Sequence, residues 1–331
     1  MTAGTSAVPV TILTGFLGAG KTTLLNRLLQ KPAMAGTAVL VNEFGEIGID
    51  HILVEKLDDT TVLLPSGCLC CSVQGDLARA LRDLVARIQS GEVRRVVVET
   101  TGLADPAPVV QSLLSDVALA RHYRLDGIVT VVDAVHGLAT LDAQEEAVRQ
   151  IAMADRIVLS KTDLAPATDA LRARITALNP GAPVIAAECG EVDPDSILEC
   201  GLFDADGKIA EVRQWLNAAA WGATGAHDGR IHSFCLTYTE PLHWSGIGMC
   251  LEMLIGTRGE NLLRVKGILN LVGQDRPVAI HGVQHMFHEP VLLPEWPAGD
   301  PRTSRIVFIT RDLSRETVEA GLLAFERAAA G

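Results

Sequence analysis

The chain has 331 residues, 48% of them hydrophobic and 21% charged, enough for two domains with real cores. Lys plus Arg number 28 against 40 Asp plus Glu, so the net charge of −12 argues against a general nucleic-acid binder. No apolar run reaches membrane-spanning length, and Met1 to Pro9 lacks the basic region and apolar core of a signal peptide. A cytoplasmic chain is expected, in which the seven Cys are thiols or metal ligands rather than disulfides.

Strand-like runs alternate with helical stretches through the first two thirds. The runs are Val8–Thr14, Ala38–Asn42, Thr61–Pro65, Val93–Thr100, Gly127–Asp133, Ile157–Lys161 and Pro183–Ala187. Most are continuous in Val, Ile and Leu, as expected of strands covered on both faces. Thr22–Gln30 reads as a helix, and so does Leu77–Ile88, where Leu77, Leu81, Leu84, Val85 and Ile88 repeat at helical spacing. The predicted fold class is α/β, a P-loop NTPase-type, mostly parallel sheet. Asn217–Gly229, rich in Ala and Gly, is read as a linker. Beyond it Ile231–Tyr238 reads as a strand, His243–Gly256 as a helix, Leu262–Val272 and Pro277–His285 as strands, Ser304–Thr310 as a strand and Ser314–Ala329 as a helix. The expected domains are therefore residues 1–220 and a smaller α+β domain, 230–331, of βαβββα order.

The first run leads into Gly15-Phe16-Leu17-Gly18-Ala19-Gly20-Lys21-Thr22, the G-x-x-x-x-G-K-T phosphate-binding loop, in its required strand–loop–helix context. Gly15, Gly18 and Gly20 let the backbone wrap so that its N–H groups face an anion. Ala19 and Thr23 complete the expected nucleotide contacts. Lys21 would reach the β and γ phosphates, and the Thr22 hydroxyl would ligate Mg²⁺. In Val98-Glu99-Thr100-Thr101-Gly102, Glu99 closes an apolar strand where an acid would hold Mg²⁺ directly or through water. Gly102 is placed so that its N–H senses a γ phosphate. Ser160-Lys161-Thr162-Asp163 follows another apolar strand and resembles the guanine-reading N-K-x-D. Asp163 would select GTP over ATP, and the Lys161 stem would stack on the base. Ser160 departs from Asn, which predicts a weaker orienting hydrogen bond.

Two stretches carry metal chemistry. Gly67-Cys68-Leu69-Cys70-Cys71 sets three thiols within four residues, a cluster that suits Zn²⁺ first; the plainer alternative is a trio of small buried side chains. Three thiolates leave a fourth position for a carboxylate, a His or water. In Asn42 to His51, Gly45 and Gly48 permit movement, and Glu43, Asp50 and His51 would serve Mg²⁺ or a second metal, or form a solvated acidic loop. The nine His are scattered; His281 and His285 fit a pair on one strand face, although a packed or solvated role is the plainer reading.

Together GFLGAGKTTLLN, NEFGEIGID, GCLCC, ETTGLADP and SKTD, in that order, resemble the CobW-type family of GTP-dependent metal chaperones among the SIMIBI P-loop proteins. Leu262–Gly267 and His281–His285 extend the resemblance into the second domain, nearest to the short YjiA-like branch. The resemblance implies binding of GTP and GDP, slow hydrolysis, and Zn²⁺ or Co²⁺ held by Cys68, Cys70 and Cys71, with Glu43 as a fourth ligand. It also implies delivery to a client metalloprotein, by a monomer or weak homo-oligomer that engages neither membrane nor nucleic acid. Many relatives carry a long His-rich stretch that this chain lacks, so a storage role does not follow. Two competing readings are a zinc buffer or sensor with incidental GTPase activity, and a P-loop kinase, which the SKTD loop opposes.

Overall fold

The computed structural model describes residues 7–41, 61–63, 72–165, 167–198, 200, 230–296 and 299–331. Cys68, Cys70, Cys71, Glu43, Asp50, His51 and the linker Asn217–Gly229 lie outside the described residues. The described residues divide into two compact units, those within 1–172 and 183–201, and those within 173–182 and 202–331.

Seven strands build the first unit: β1 (Val8–Thr14), β2 (Thr37–Val41), β3 (Thr61–Leu63), β4 (Arg95–Glu99), β5 (Tyr123–Asp133), β6 (Arg156–Ser160) and β7 (Val184–Ala186). They form one sheet in the order β3-β2-β4-β1-β5-β6-β7, and every pairing is parallel. Helices α1 (Lys21–Leu29), α2 (Ser72–Gln89), α3 (Ala107–Ser115), α4 (Val117–Ala120), α5 (Gly137–Ala143) and α6 (Glu145–Met153) alternate with them, followed in sequence by α7 (Asp169–Leu178) and α8 (Pro194–Ile197). β2 is buried at every position and β4 at all but its first, the pattern of strands covered on both faces. Leu24, Leu25 and Leu28 of α1 pack with Leu13, Val39, Val97, Val129 and Val158 in one core. Because every pairing is parallel, the loops after β1, β4, β5, β6 and β7 leave the same edge, and the strand order reverses at central β1, where a ligand crevice forms in open parallel sheets.

The second unit carries an antiparallel sheet. It contains β8 (Ile231–Tyr238), β9 (Leu262–Leu269), β10 (Val278–Val283), β11 (Met286–Phe287), β12 (Val291–Leu292) and β13 (Ser304–Arg311), ordered β11-β10-β9-β13-β8 with β12 also on β10. Helices α9 (Trp244–Arg258) and α10 (Arg315–Ala330) supply Ile247, Leu251, Leu254, Val318 and Leu322 to a core with Phe234 and Phe308, whose rings stack 5.5 Å apart. The expected order βαβββα thus gains two short strands, β11 and β12, which the sequence does not announce because each is only two residues long.

The plainer reading holds for His281, which is packed and buried, and His281 and His285 do not share a strand face. β10 ends at Val283, so His285 falls in the turn, its Nδ1 lying 3.3 Å from Ile255 O, while His281 stacks on His288 at 4.9 Å. Burial holds the His281 imidazole well below its ordinary range, and Arg264, His288 and Lys266 push the same way, so it is neutral when folded. The unfolded chain takes up that proton and the folded one refuses it. Stability is therefore complete above the unfolded value of about 6.5 and declines as pH falls through it, by at most about 1.4 kcal/mol per unit. Melting of the second unit is expected at a lower temperature at pH 5.5 than at pH 7.5, by a margin that His281→Leu narrows. An unchanged margin in that variant assigns the pH effect to other groups.

Candidate functional site

The P-loop joins β1 to α1, and its shape is set by close contacts. Gly15 has φ 139°, and a Cβ there would lie 2.2 Å from the carbonyl oxygen of Val131 on neighbouring β5, so only glycine fits. Gly18 and Gly20 also have positive φ, and Gly20 caps α1. The first turn of α1 carries no acid, so nothing on it offsets the partial positive charge of the helix N-terminus. The arrangement is a cradle for an anion.

Lys21 is 8% exposed, and its ammonium donates to Gly15 O at 2.9 Å and Phe16 O at 3.3 Å, the carbonyls at the mouth of the loop. Thr22 Oγ1 donates to Glu99 Oε1 at 2.7 Å. Glu99 stands at the end of β4, level with Leu13, and is 4% exposed. The buried Thr101 hydroxyl nearby has no partner among the described residues. The Thr22 hydroxyl and the Glu99 carboxylate, hydrogen-bonded beside a phosphate cradle, are the hard-oxygen ligands that Mg²⁺ prefers, so Thr22 and Glu99 fit that ion. Next to them Thr100 Oγ1 donates to Thr14 Oγ1 at 2.8 Å, locking β4 to β1. A Cβ on Gly102 would lie 2.5 Å from Leu17 N, so the loop after β4 sits directly against the P-loop.

The opposite flank is built from β5, β6 and β7. β6 ends at Ser160, one residue earlier than expected, because Lys161 turns to φ 56°. Its ammonium donates to Gly18 O at 2.9 Å and to Asp133 Oδ2 at 2.6 Å, laying the side chain along the P-loop. Burial pushes the Asp133 carboxyl up, but Lys161 and the N–H groups of His136 and Val135 outweigh it, and Asp133 stays below its usual value. Ser160 Oγ donates to Ala19 O at 2.6 Å, so the serine in place of Asn still ties the loop to β6. Asp163 is exposed, with Oδ1 accepting from Cys189 N at 3.2 Å; that bond holds its carboxyl below the usual value, and the carboxylate in turn raises the Cys189 thiol.

Lys21, Thr22, Glu99, Gly102, Lys161 and Asp163 thus share one edge of the sheet. Two contributions escaped the sequence reading. The segment Ala187–Cys189 after β7 abuts the SKTD loop through Thr162 Oγ1 to Ala187 O at 3.1 Å and Cys189 N to Asp163; a strand end at that edge was the available signal. Gln150, buried on α6, donates to Gly102 O and Ala104 O, and no motif marks it. Behind the P-loop a cavity of about 190 Å³ is lined by Phe16, Leu17, Val131, Leu141, Gln150 and Ile151. No described helix is long and apolar enough to cross a membrane.

Two family models match the chain: the CobW/HypB/UreG nucleotide-binding domain over residues 9–186 and the cobalamin synthesis protein cobW C-terminal domain over 231–326. The zinc chaperone YjiA of Escherichia coli (strain K12) is 34% identical over 318 residues, 95% of this chain and 97% of that protein. Zinc-regulated GTPase metalloprotein activator 1 of Saccharomyces cerevisiae is 28% identical over 362 residues, 94% of this chain and 82% of that protein. A crystal structure of Zn(II)-bound YjiA GTPase from E. coli superimposes with a TM-score of 0.70 at 29% identity, covering 97% of this chain and 99% of that one. With an anion cradle, a Thr–Glu pair and an SKTD loop on one parallel-sheet edge, and both domain models matched in order, the chain belongs to the CobW/HypB/UreG family.

Proposed function

We propose that this chain is a GTP-driven metallochaperone that loads zinc at Cys68, Cys70 and Cys71 and passes it to a client metalloprotein. The chain is a GTPase. The observation that carries the reading is the Lys21–Thr22–Glu99 cluster at the mouth of the P-loop, beside Gly102 and across from Asp163. In this reading Lys21 leaves the Gly15 and Phe16 carbonyls for the phosphates, and Thr22 and Glu99 hold Mg²⁺, which neutralises phosphate charge when bound. Asp163 reads the guanine edge and the Lys161 stem lies under the base. The names of the E. coli and yeast relatives support zinc as the cargo and a metalloprotein as its destination; Co²⁺ is the other candidate cargo in this reading.

Coupling between cargo and nucleotide follows from where the cysteines fall in the chain. They lie between the end of β3 and the start of α2, and β3 runs parallel to the strands that deliver the P-loop and Glu99. Loops after parallel strands gather at one edge, so a metal held there responds to the γ phosphate. Mg²⁺–GTP is expected to tighten zinc binding relative to Mg²⁺–GDP by about 1–3 kcal/mol, and zinc to tighten GTP binding by the same amount. Competition against a zinc indicator in each nucleotide state measures this. Replacing all three cysteines by Ser should erase the linkage and leave GTP binding intact. Equal zinc affinity in both states would favour a zinc buffer whose GTPase is incidental.

A further inference from the structure

We propose that Gln150 is a positioning residue for GTP hydrolysis: its side-chain amide holds the loop after β4 at the spacing from the P-loop at which Gly102 meets a γ phosphate. The inference rests on the reading of Gly102 as the γ-phosphate sensor.

Gln150 sits on α6 and is 1% exposed. Its Nε2 donates to Gly102 O at 3.2 Å and Ala104 O at 3.1 Å. Two carbonyls call for two N–H donors, which decides the orientation of the amide. The Oε1 is then buried and has no hydrogen bond among the described residues. The amide thus directs both donors at this one loop; Leu would remove the unpaired Oε1 but would leave the Gly102 and Ala104 carbonyls without that donor. The helix beneath it is itself anchored, since Thr130 Oγ1 of β5 donates to Gln150 O at 2.8 Å. The preceding residue grips the same loop: Arg149 Nη1 lies 3.9 Å from Asp105 Oδ2, and Asp105 Oδ1 accepts from Ala107 N at the start of α3.

The loop is thereby held from two sides. The P-loop presses on it at Leu17, where Gly102 leaves no room for a Cβ, and α6 draws on its carbonyls. Gln150 also walls the cavity behind the P-loop, so directed hydrogen bonds rather than close packing link α6 to the loop on that flank. A γ phosphate drawn to the Gly102 N–H engages a peptide plane whose neighbouring carbonyls are already fixed. GDP has no γ phosphate and makes no use of that arrangement.

The test uses the full chain with Mg²⁺ and compares Gln150→Leu, Gln150→Glu and Gly102→Ala with the unaltered protein. Phosphate release gives kcat, and displacement of a fluorescent nucleotide gives affinities for GDP and for a non-hydrolysable GTP analogue. Gln150→Leu is expected to lower kcat about tenfold and to reduce the preference for the GTP analogue over GDP, with GDP affinity within about twofold. In Gln150→Glu a carboxylate faces two carbonyls and cannot donate. Its activity relative to the unaltered protein should therefore recover as pH falls and the carboxyl gains a proton, which a loss of packing would not produce. Gly102→Ala should itself lose the preference for the GTP analogue. If it does while Gln150→Leu keeps normal kcat and preference, the positioning role is overturned; if Gly102→Ala keeps the preference, the sensor reading fails instead. Should Gln150→Leu not fold, the pH profile of Gln150→Glu decides, and a flat ratio to the unaltered protein rejects the proposal.

Discussion

Lys21→Ala is expected to abolish GTP turnover and to weaken nucleotide binding by about 3 kcal/mol or more, more than a hundredfold. The ammonium is nearly buried and is held at the mouth of the loop by Gly15 O and Phe16 O. A phosphate arriving there exchanges two neutral acceptors for charged ones, and such bonds are the stronger kind. Neighbouring cations do not substitute. Arg27 lies on α1 with its Nε 3.8 Å from Glu191 Oε1, and Lys161 is tied to Gly18 O and Asp133 on the flank. Alanine also leaves the two carbonyls turned toward the incoming phosphates with no donor between, which adds repulsion to the lost attraction. Nucleotide titration and phosphate release measure the effect, and near-native turnover would remove this loop from the catalytic site.

Asp163→Asn is expected to reverse base preference, weakening GTP and admitting xanthosine triphosphate. Each half of the exchange is worth about 1.5–3 kcal/mol, so the ratio of the two affinities should swing by at least about a hundredfold. The carboxylate is an acceptor only, and its depressed pKa keeps it ionised well into acid, the form that takes two hydrogen bonds from guanine. Cys189 N–H already occupies Oδ1. In the variant the amide oxygen should keep that backbone bond, which turns the NH₂ group toward the base, where xanthine offers an oxygen and guanine a clashing donor. Competitive displacement by the two triphosphates reads the swing directly. An unchanged ratio would take Asp163 out of base reading and return attention to the Ala187–Cys189 segment beside it.

Much of the first unit is legible without coordinates. A parallel strand buried on both faces must be a run of apolar residues, and Val8–Thr14 and Arg95–Glu99 are such runs. The P-loop is legible for the same kind of reason: positive φ at Gly15, Gly18 and Gly20 is a demand made by local backbone geometry and met within eight consecutive residues. That Gly15–Thr22, Glu99 and Asp163 each close or follow an apolar run is legible too, whereas the sheet order, with β4 between β2 and β1, is a matter of tertiary pairing.

Other features depend on chain segments that meet only after folding. The Thr100–Thr14 hydroxyl pair, the Ser160–Ala19 bond and the two carbonyls taken by Gln150 join residues 86, 141 and up to 48 positions apart, and no spacing rule links them. His281 meets His288 rather than His285 because β10 stops at Val283 and the chain returns through β11, a strand too short to leave a pattern. The sequence by itself therefore determined the fold class, the phosphate loop and the residue types that can bind a nucleotide, since these are local requirements written in adjacent residues. Which side chains brace the site, which carbonyls Lys21 and Lys161 hold, and how the loop after β4 is pinned against the P-loop were decided by tertiary packing, because a hydrogen bond between distant segments is selected by their final separation and burial and by no feature of either segment alone.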